Sequence, residues 1–344
     1  MFSKSLRLIS FGLVGLLTAG IIAATHLPAN AQKAKELTLV SYAVTQSAYE
    51  TIIPQFVSYW KKKTGETVTF RQSYGGSGSQ TRAVIDGLEA DVVALALALD
   101  TKKIEKAGLI NPGWEKEAPN GSIVTKSVMA FATRPGGVQV KKWSDLASGK
   151  LKIITANPKT SGGARWNFLG LWGSVSKTGG TEAQARTFVE KVYASAPVLP
   201  KDAREASDVF YKQGQGDVLL NYEHELVLAR KKGSKDPYYV PTDFNISIDN
   251  PIAVVDKNVD KHGTRKVAEA FVQFVFTPPA QREYAGEGFR PVNAQVAKQF
   301  ASKYPKVKKL VTVQDFGGWG QIDTKFFADN AIFEQILRKI GRGG

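Results

Sequence analysis

The chain has 344 residues, enough for two lobes of ordinary domain size, and its 43% hydrophobic and 22% charged residues are typical of a globular protein. It has no cysteine and only three histidines, which excludes disulfides, thiolate metal sites and a cysteine nucleophile. The formal net charge of +15 favours anionic partners, but the lysine clusters lack the interleaved aromatic residues of nucleic-acid binders, so nucleic acid is not an expected partner.

The first 31 residues have the features of a secretory signal peptide. Lys4 and Arg7 precede an apolar run over residues 8–24, and residues 29–31 read Ala-Asn-Ala, a small-x-small cleavage signal. The alternative is a retained membrane anchor, although the run is marginal for the roughly 20 residues that a spanning helix needs. We predict that the protein is exported and cleaved after Ala31. Loss of the two basic residues takes the formal charge from +15 to +13.

The first part of the mature chain alternates between strand and helix patterns. A continuous apolar run such as that at 91–97 indicates a strand buried on both faces. The alternation predicts an α/β fold with a parallel sheet. Strands are predicted at 37–41, 68–72 and 91–97, and helices at 47–64 and 79–88.

The pattern continues after residue 123, where residues 124–133 read as a strand entering a second lobe. Further strands are predicted at 152–156, 218–222 and 246–255, and helices at 162–175, 182–194, 204–212, 223–231 and 266–276. We interpret the chain as two α/β lobes, the second inserted into the first. Residues 32–123 and 240–298 form lobe one, and residues 124–239 and 299–344 form lobe two.

Three segments share one design, a turn of small residues that leads into a helix: residues 73–80, 157–165 and 201–204. A helix start offers unpaired N–H groups and a partial positive charge. Glycine lets an anion approach the backbone closely, and Ser161 can act as N-cap and also donate its hydroxyl. Together the three segments predict an anion-binding site.

Each segment alone has a plainer interpretation as a strand–helix connection. The glycine-rich turn at 75–78 is neither a P-loop nor a dinucleotide fingerprint, because the spacing of both motifs fails. Ser161 has no nearby histidine, and His224 and His262 have no metal-ligand spacing. No catalytic residue, metal or cofactor is therefore predicted, and the chain is interpreted as a binding protein and not an enzyme.

Here the residues resemble a known family. Residues 157–165, N-P-K-T-S-G-G-A-R, followed by Trp166 and Asn167, resemble the second signature of prokaryotic sulfate-binding proteins. Residues 61–73 resemble the first signature, with Glu66 where that pattern usually has Asp or Gln. The resemblance also includes residues 75–78, 89–93, 216–219 and 316–319, so it covers nearly the whole mature chain.

This resemblance implies a two-lobed periplasmic-binding-protein fold of type II, with the ligand in the cleft between the lobes. It implies a periplasmic monomer that binds sulfate or thiosulfate and delivers it to the membrane permease subunits of an ATP-driven importer. The implied ligand contacts are the backbone N–H groups of Ser77, Gly162, Gly163 and Ala203, with the N–H and hydroxyl of Ser161. Arg165 and Arg204 would lie behind the site, paired with backbone or acids and not with the anion.

One departure keeps the ligand open. The family's tryptophan donor falls on Tyr222, whose hydroxyl can donate or accept, or whose ring merely packs. The candidates are therefore sulfate, thiosulfate or another tetrahedral oxyanion. An exported sulfatase or phosphatase would need a metal cluster or an activated nucleophile, which the chain lacks the residues to build. A structural adhesin would leave the three helix-start turns unexplained.

Overall fold

A computed structural model of the protein describes residues 34–342. The predicted signal peptide, residues 1–31, lies outside the described residues. Among the helices of residues 34–342, none is both long and apolar enough to cross a membrane.

The described chain alternates between short strands and helices, as an α/β fold requires. Its strands are β1 (Lys35–Tyr42), β2 (Val68–Gly75), β3 (Val92–Ala94), β4 (Ile123–Ser127), β5 (Met129–Thr133), β6 (Ile153–Ile154), β7 (Val218–Tyr222), β8 (Tyr238–Tyr239), β9 (Asn245–Ile246), β10 (Ile248–Val254), β11 (Arg290–Pro291) and β12 (Leu310–Val311). Its helices are α1 (Gln46–Thr64), α2 (Ser77–Ile85), α3 (Ala98–Lys106), α4 (Gly162–Ser176), α5 (Glu182–Ala194), α6 (Ala203–Tyr211), α7 (Glu223–Lys231), α8 (Asp256–His262), α9 (Arg265–Phe274), α10 (Pro278–Gly286), α11 (Ala294–Phe300), α12 (Gly318–Ile322) and α13 (Ile332–Lys339).

The larger sheet has six strands in the order β11-β4-β10-β3-β1-β2. β1 runs parallel to β2 and β3, while β10 is antiparallel to both β3 and β4. Successive residues of β1 point to opposite faces. Leu39 joins the core beneath α1 and α9, and Val40 joins the core beneath α2 and α3. Helices on both faces explain why these strands read as continuous apolar runs.

The smaller sheet has four strands in the order β6-β7-β5-β8, and a separate pair joins β12 to β9. Its two faces are also covered. Leu220 packs in the core with residues of α4 and α5, whereas Leu219 packs with residues of α6 and α7. The carboxyl end of β7, at Tyr222, leads directly into α7.

The segment predicted as one strand at 124–133 is two strands in different sheets. β4 pairs with β10 in the larger sheet, and β5 pairs with β7 in the smaller one. The predicted strand at 246–255 is divided in the same way, because β9 pairs with β12 and only β10 belongs to the larger sheet. At this double passage the Asn245 side chain exchanges two 2.9 Å hydrogen bonds with the backbone N–H and C=O of Met129.

The lobe limits inferred from the sequence remain a proposal: 32–123 with 240–298, and 124–239 with 299–344. The change of sheet supports this division, since the chain leaves the larger sheet after Ser127 and re-enters it at Ile248, a few residues beyond each proposed limit. The pattern of apolar residues does not show where the chain passes from one sheet to the other, because buried strands of both sheets have the same pattern.

The predicted strand at 91–97 is shorter than expected, and α3 follows it at Ala98. Residues 95–97 are buried but lie in a connection between β3 and α3. These residues are apolar because they are buried, although they lie outside the strand β3. The periodicity of a sequence cannot distinguish a buried connection from a buried strand. The shorter strand matters for function, because Ala96 reaches the candidate site described below.

A charged cluster anchors the start of β3. Asp91 accepts hydrogen bonds from the Thr38 N–H at 2.7 Å and the Thr264 hydroxyl at 2.5 Å, and its Oδ1 lies 2.9 Å from His262 Nδ1. The other ring nitrogen of His262 lies 2.8 Å from Glu89. Hydrogen bonds to Glu89 and Asp91 raise the pKa of His262 above its ordinary value of 6.5.

This cluster predicts a pH-dependent contribution to stability. Because the folded-state pKa of His262 is raised, its contribution is complete below the ordinary pKa and is lost as the pH rises through the folded-state pKa. We expect His262→Gln to lower the free energy of unfolding more at about pH 5.5 than at about pH 9. Denaturant titration at both pH values measures this. Lys261→Gln, which removes the other cation on Glu89, is the matched control and should have the same effect at both. Equal effects of the histidine change at both pH values would contradict the prediction.

Candidate anion-binding site

Three helix starts converge on one point between the two sheets. α2 begins at Ser77, α4 at Gly162 and α6 at Ala203. The turns before them are tied together: the Gly78 N–H donates to Thr160 O at 3.1 Å, and the Thr160 hydroxyl donates to Lys201 O at 2.6 Å. The three turns that the sequence analysis singled out therefore meet in space.

Glycine is required where the turns meet. A Cβ atom on Gly76 would lie 2.6 Å from Thr160 O and 3.0 Å from Lys201 O, closer than a carbon tolerates. On Gly162 it would lie 2.6 Å from the Ala96 Cβ. The backbones approach this closely only because the side chains are absent.

A small cavity lies between the helix starts. All six residues predicted to contact the ligand line it: Ser77, Ser161, Gly162, Gly163, Ala203 and Tyr222. The other lining residues are Tyr42, Ala43, Val44, Gly75, Gly76, Ala96 and Asp202. Within the described chain, this lining contains no lysine, arginine or histidine. Any anion held here would be held by neutral donors and helix dipoles.

The N-caps leave the first N–H groups of the helices available. Ser161 caps α4 by accepting the Ala164 N–H at 3.2 Å, and Asp202 caps α6 by accepting the Glu205 N–H at 2.9 Å. The first N–H groups of each helix have no carbonyl partner within the helix. The N–H groups of Gly162, Gly163 and Ala203 are in this position.

The structure differs from the sequence expectation at the backbone of Ser161. Its N–H donates to Asn157 O at 2.9 Å inside the preceding turn, so it is already used. The contribution of Ser161 is therefore its hydroxyl. Ser77 has the opposite arrangement, because its hydroxyl donates to Asp100 at 2.6 Å and accepts the Ala96 N–H at 3.0 Å. Ser77 is left with its backbone N–H as the candidate donor.

Arg165 and Arg204 lie behind the cavity and do not belong to its lining. The Arg165 guanidinium donates to Asp100 at 2.8 Å and to Pro158 O at 3.0 Å. Asp100 is buried, and because its other oxygen accepts from Ser77, it links the starts of α2 and α4. Arg204 donates to Glu225 at 2.8 Å and to Val44 O at 3.3 Å. Both guanidinium groups brace loops of the site.

The Tyr222 hydroxyl is placed as a donor would be. The side chain is fully buried, and within the described residues its Oη has no hydrogen-bond partner. A Cβ on Gly163 would lie 3.0 Å from this oxygen, so the hydroxyl lies against the start of α4. Burial, with smaller effects of Asp100 and Glu225, raises the pKa of Tyr222 well above 10. The phenol stays protonated and able to donate.

The sequence analysis did not single out Tyr42, which also lines the cavity. It ends β1, and its buried hydroxyl likewise has no hydrogen-bond partner among the described residues. Ligands of open α/β sheets bind beyond the carboxyl ends of the strands. The position of Tyr42 at the end of the first strand is therefore the signal that could have identified it.

The histidines and acids of the described residues are not grouped as metal ligands. Among residues 34–342 there is no group of three His, Cys, Asp or Glu side chains arranged to hold a metal ion. His224 is buried, and its Nδ1 lies 3.1 Å from the Ser127 hydroxyl.

A two-lobed α/β fold with a buried cavity lined by helix starts is the architecture of a solute-binding protein. Comparison with known proteins agrees with this class. The chain belongs to the bacterial extracellular solute-binding protein family, whose family model matches residues 37–290. Its fold is the two-lobed periplasmic-binding-protein fold, as the sequence analysis predicted.

Individual relatives are similar over almost their whole length. The chain is 61% identical to a sulfate-binding protein of Synechocystis sp., over 99% of this chain and 98% of that protein. It is 39% identical to a sulfate-binding protein of Escherichia coli, over 91% of this chain and 97% of that protein. Among solved structures it is similar to the sulfate-binding protein SubI of Mycobacterium tuberculosis, with a TM-score of 0.78, 34% identity, and coverage of 86% of this chain and 100% of that one.

Proposed function

We propose that this protein binds sulfate and delivers it to an ATP-driven importer in the inner membrane. The observation that carries the proposal is the cavity itself. Three helix starts and the hydroxyls of Ser161, Tyr222 and Tyr42 line it as possible donors, and no lysine, arginine or histidine does. Several helix dipoles share the charge of a dianion, so neutral donors are sufficient to hold it. The similarity to proteins named for sulfate binding supports the same ligand.

In this proposal six residues contact the anion: Ser77, Ser161, Gly162, Gly163, Ala203 and Tyr222. The protein works as a periplasmic monomer, exported by the segment that ends at Ala31, and docks on permease subunits. It catalyses no reaction and needs no cofactor. The proposal predicts that isothermal titration of mature protein detects sulfate binding with one site per chain. Absence of binding to any tetrahedral oxyanion would reject it.

Thiosulfate is the second candidate ligand. It has the same tetrahedral shape and charge, with one sulfur in place of an oxygen, and sulfur is a weak hydrogen-bond acceptor. Titrations with thiosulfate and molybdate, run beside sulfate and phosphate, rank these anions directly. Tighter binding of thiosulfate than of sulfate would reassign the ligand while leaving the class of protein unchanged.

We expect Ser161→Ala to weaken sulfate binding by about 1.5–3 kcal/mol, because it removes a hydroxyl donor to a charged group. Arg165→Lys is the comparison, since Arg165 lies outside the cavity lining and acts on the loop through Pro158 and Asp100. Its effect on affinity should be smaller than that of the serine change. Titration gives the affinities, and denaturant unfolding corrects for any loss of stability. A larger effect of the arginine change would favour a direct ionic contact.

A further inference from the structure

The ring of Tyr222 belongs to a stack of three buried rings. The Tyr222 and His224 rings are nearly parallel, with centroids 4.7 Å apart and an angle of 23° between their planes. His224 in turn stacks on Phe289 at 3.9 Å and 20°. Of these three rings only that of Tyr222 reaches the cavity. His224 therefore lies directly behind a residue proposed to contact the anion.

His224 is fastened to both sheets. Its backbone lies in α7, which continues from β7 of the smaller sheet. Its Nδ1 lies 3.1 Å from the hydroxyl of Ser127, the last residue of β4 in the larger sheet. A Cβ on Gly288 would lie 3.1 Å from the His224 Cα, so the backbone before Phe289 also presses against this residue. His224 therefore contacts elements of both sheets.

Stacking limits one motion that displaces the Tyr222 hydroxyl. The oxygen lies on the axis about which a tyrosine ring flips, so a flip leaves it in place. A displacement of the ring perpendicular to its own plane does move the oxygen. The face of His224 blocks this movement on one side, and Tyr42, at 6.4 Å, borders the ring elsewhere.

We propose that His224 is a positioning residue, whose flat ring holds the Tyr222 hydroxyl against the start of α4 for donation to the bound anion. This inference rests on the proposed function, and specifically on donation by Tyr222. Burial and the charge of Arg204 lower the pKa of His224 well below its ordinary value, so the stacked ring is neutral. The Nε2 atom of His224 has no hydrogen-bond partner among the described residues. His224 contacts Tyr222 through the stacked ring faces.

The test compares a flat ring with a side chain of similar size that is not flat. His224→Phe keeps the ring and is expected to bind sulfate within about twofold of the unaltered protein. His224→Leu is expected to bind about tenfold more weakly, part of the roughly 10- to 100-fold that a hydrogen bond to a charged group contributes. Both variants lose the bond to Ser127, so that loss cancels in the comparison.

A double-mutant cycle separates positioning from general packing. In a Tyr222→Phe background no hydroxyl remains to be positioned, so adding His224→Leu should change the dissociation constant by less than about twofold. Isothermal titration of the four proteins gives the cycle, and denaturant unfolding verifies that each is folded. An equal loss in both backgrounds would overturn the proposal, as would an equal loss for His224→Phe and His224→Leu. If the unaltered protein binds no oxyanion, the proposed function itself fails.

Discussion

Gly163→Ala is expected to abolish tight binding, with a loss of at least about 100-fold, the equivalent of ~2.7 kcal/mol. The added Cβ would lie 2.8 Å from Tyr222 Cε2 and 3.0 Å from its hydroxyl oxygen. Tyr222 is fully buried, so its ring has no solvent space into which it can retreat. The substitution therefore displaces one proposed donor and also puts a methyl group where the ligand approaches the N–H of residue 163.

Gly170→Ala is the matched control for this prediction. Gly170 lies in the same helix as Gly163 but not at its start. A Cβ atom on Gly170 would lie 2.8 Å from the Trp143 ring, which does not line the cavity. Overpacking of this kind destabilises by about 1–3 kcal/mol. Both variants should lose stability in denaturant titrations, but only Gly163→Ala should lose affinity. Sulfate binding by Gly163→Ala at the unaltered affinity would remove the start of α4 from the site.

Sulfate is expected to bind at least about 100-fold more tightly than phosphate near neutral pH, the equivalent of ~2.7 kcal/mol. The backbone N–H groups of the cavity can only donate, and the protonated Tyr222 hydroxyl has no other partner. Sulfate accepts at every oxygen. Phosphate carries at least one proton near neutral pH, and that O–H group would face a donor in the cavity. A buried polar group left unpaired costs about 1–3 kcal/mol, and more when charge is involved.

Asp202 is the acid that lines the cavity, and one of its oxygens already accepts the Glu205 N–H. Competition titrations with Asp202→Asn therefore accompany the phosphate experiment. Sulfate affinity should vary little between mildly acidic and mildly basic pH, because neither sulfate nor the proposed donors titrate there. Comparable affinities for phosphate and sulfate would contradict the assignment of sulfate as the ligand. Its loss in Asp202→Asn would identify Asp202 as the hidden acceptor.

The parts of the site that depend on neighbouring residues could be predicted from the sequence. The start of α4 was predicted at residue 162 and lies at Gly162, because Ser161 caps the helix with its own side chain. The glycine turn before α2 was predicted for the same kind of reason. The resemblance to sulfate-binding proteins then selected one residue from the first turn, three from the second and one from the third. The use of the Ser161 N–H was not predictable, since it depends on how tightly the turn from Asn157 closes.

The connections between the sheets could not be predicted. Residues 124–133 read as one strand, and the division at Val128 appears only when each half finds a different partner strand. Asp100 joins Ser77 to Arg165 but was not predicted as a site residue. It lies in α3, which begins directly after the apolar run at 91–97 and was not predicted as a helix. The stack of His224 on Tyr222 and Phe289 likewise joins the end of β7 in the smaller sheet to the residue before β11 in the larger sheet.

The sequence by itself therefore determined the α/β alternation, the three helix starts with their caps and glycines, and the chemistry of the donors. These follow from hydrogen bonds and backbone freedom within a few residues of chain. Tertiary structure alone decided that the three starts face one cavity, that the arginines turn away from it toward Asp100 and Glu225, and that Tyr222 lies against Gly163. These contacts join residues 20 to more than 100 positions apart, and packing of side chains from two sheets selects them, a selection that no local pattern contains.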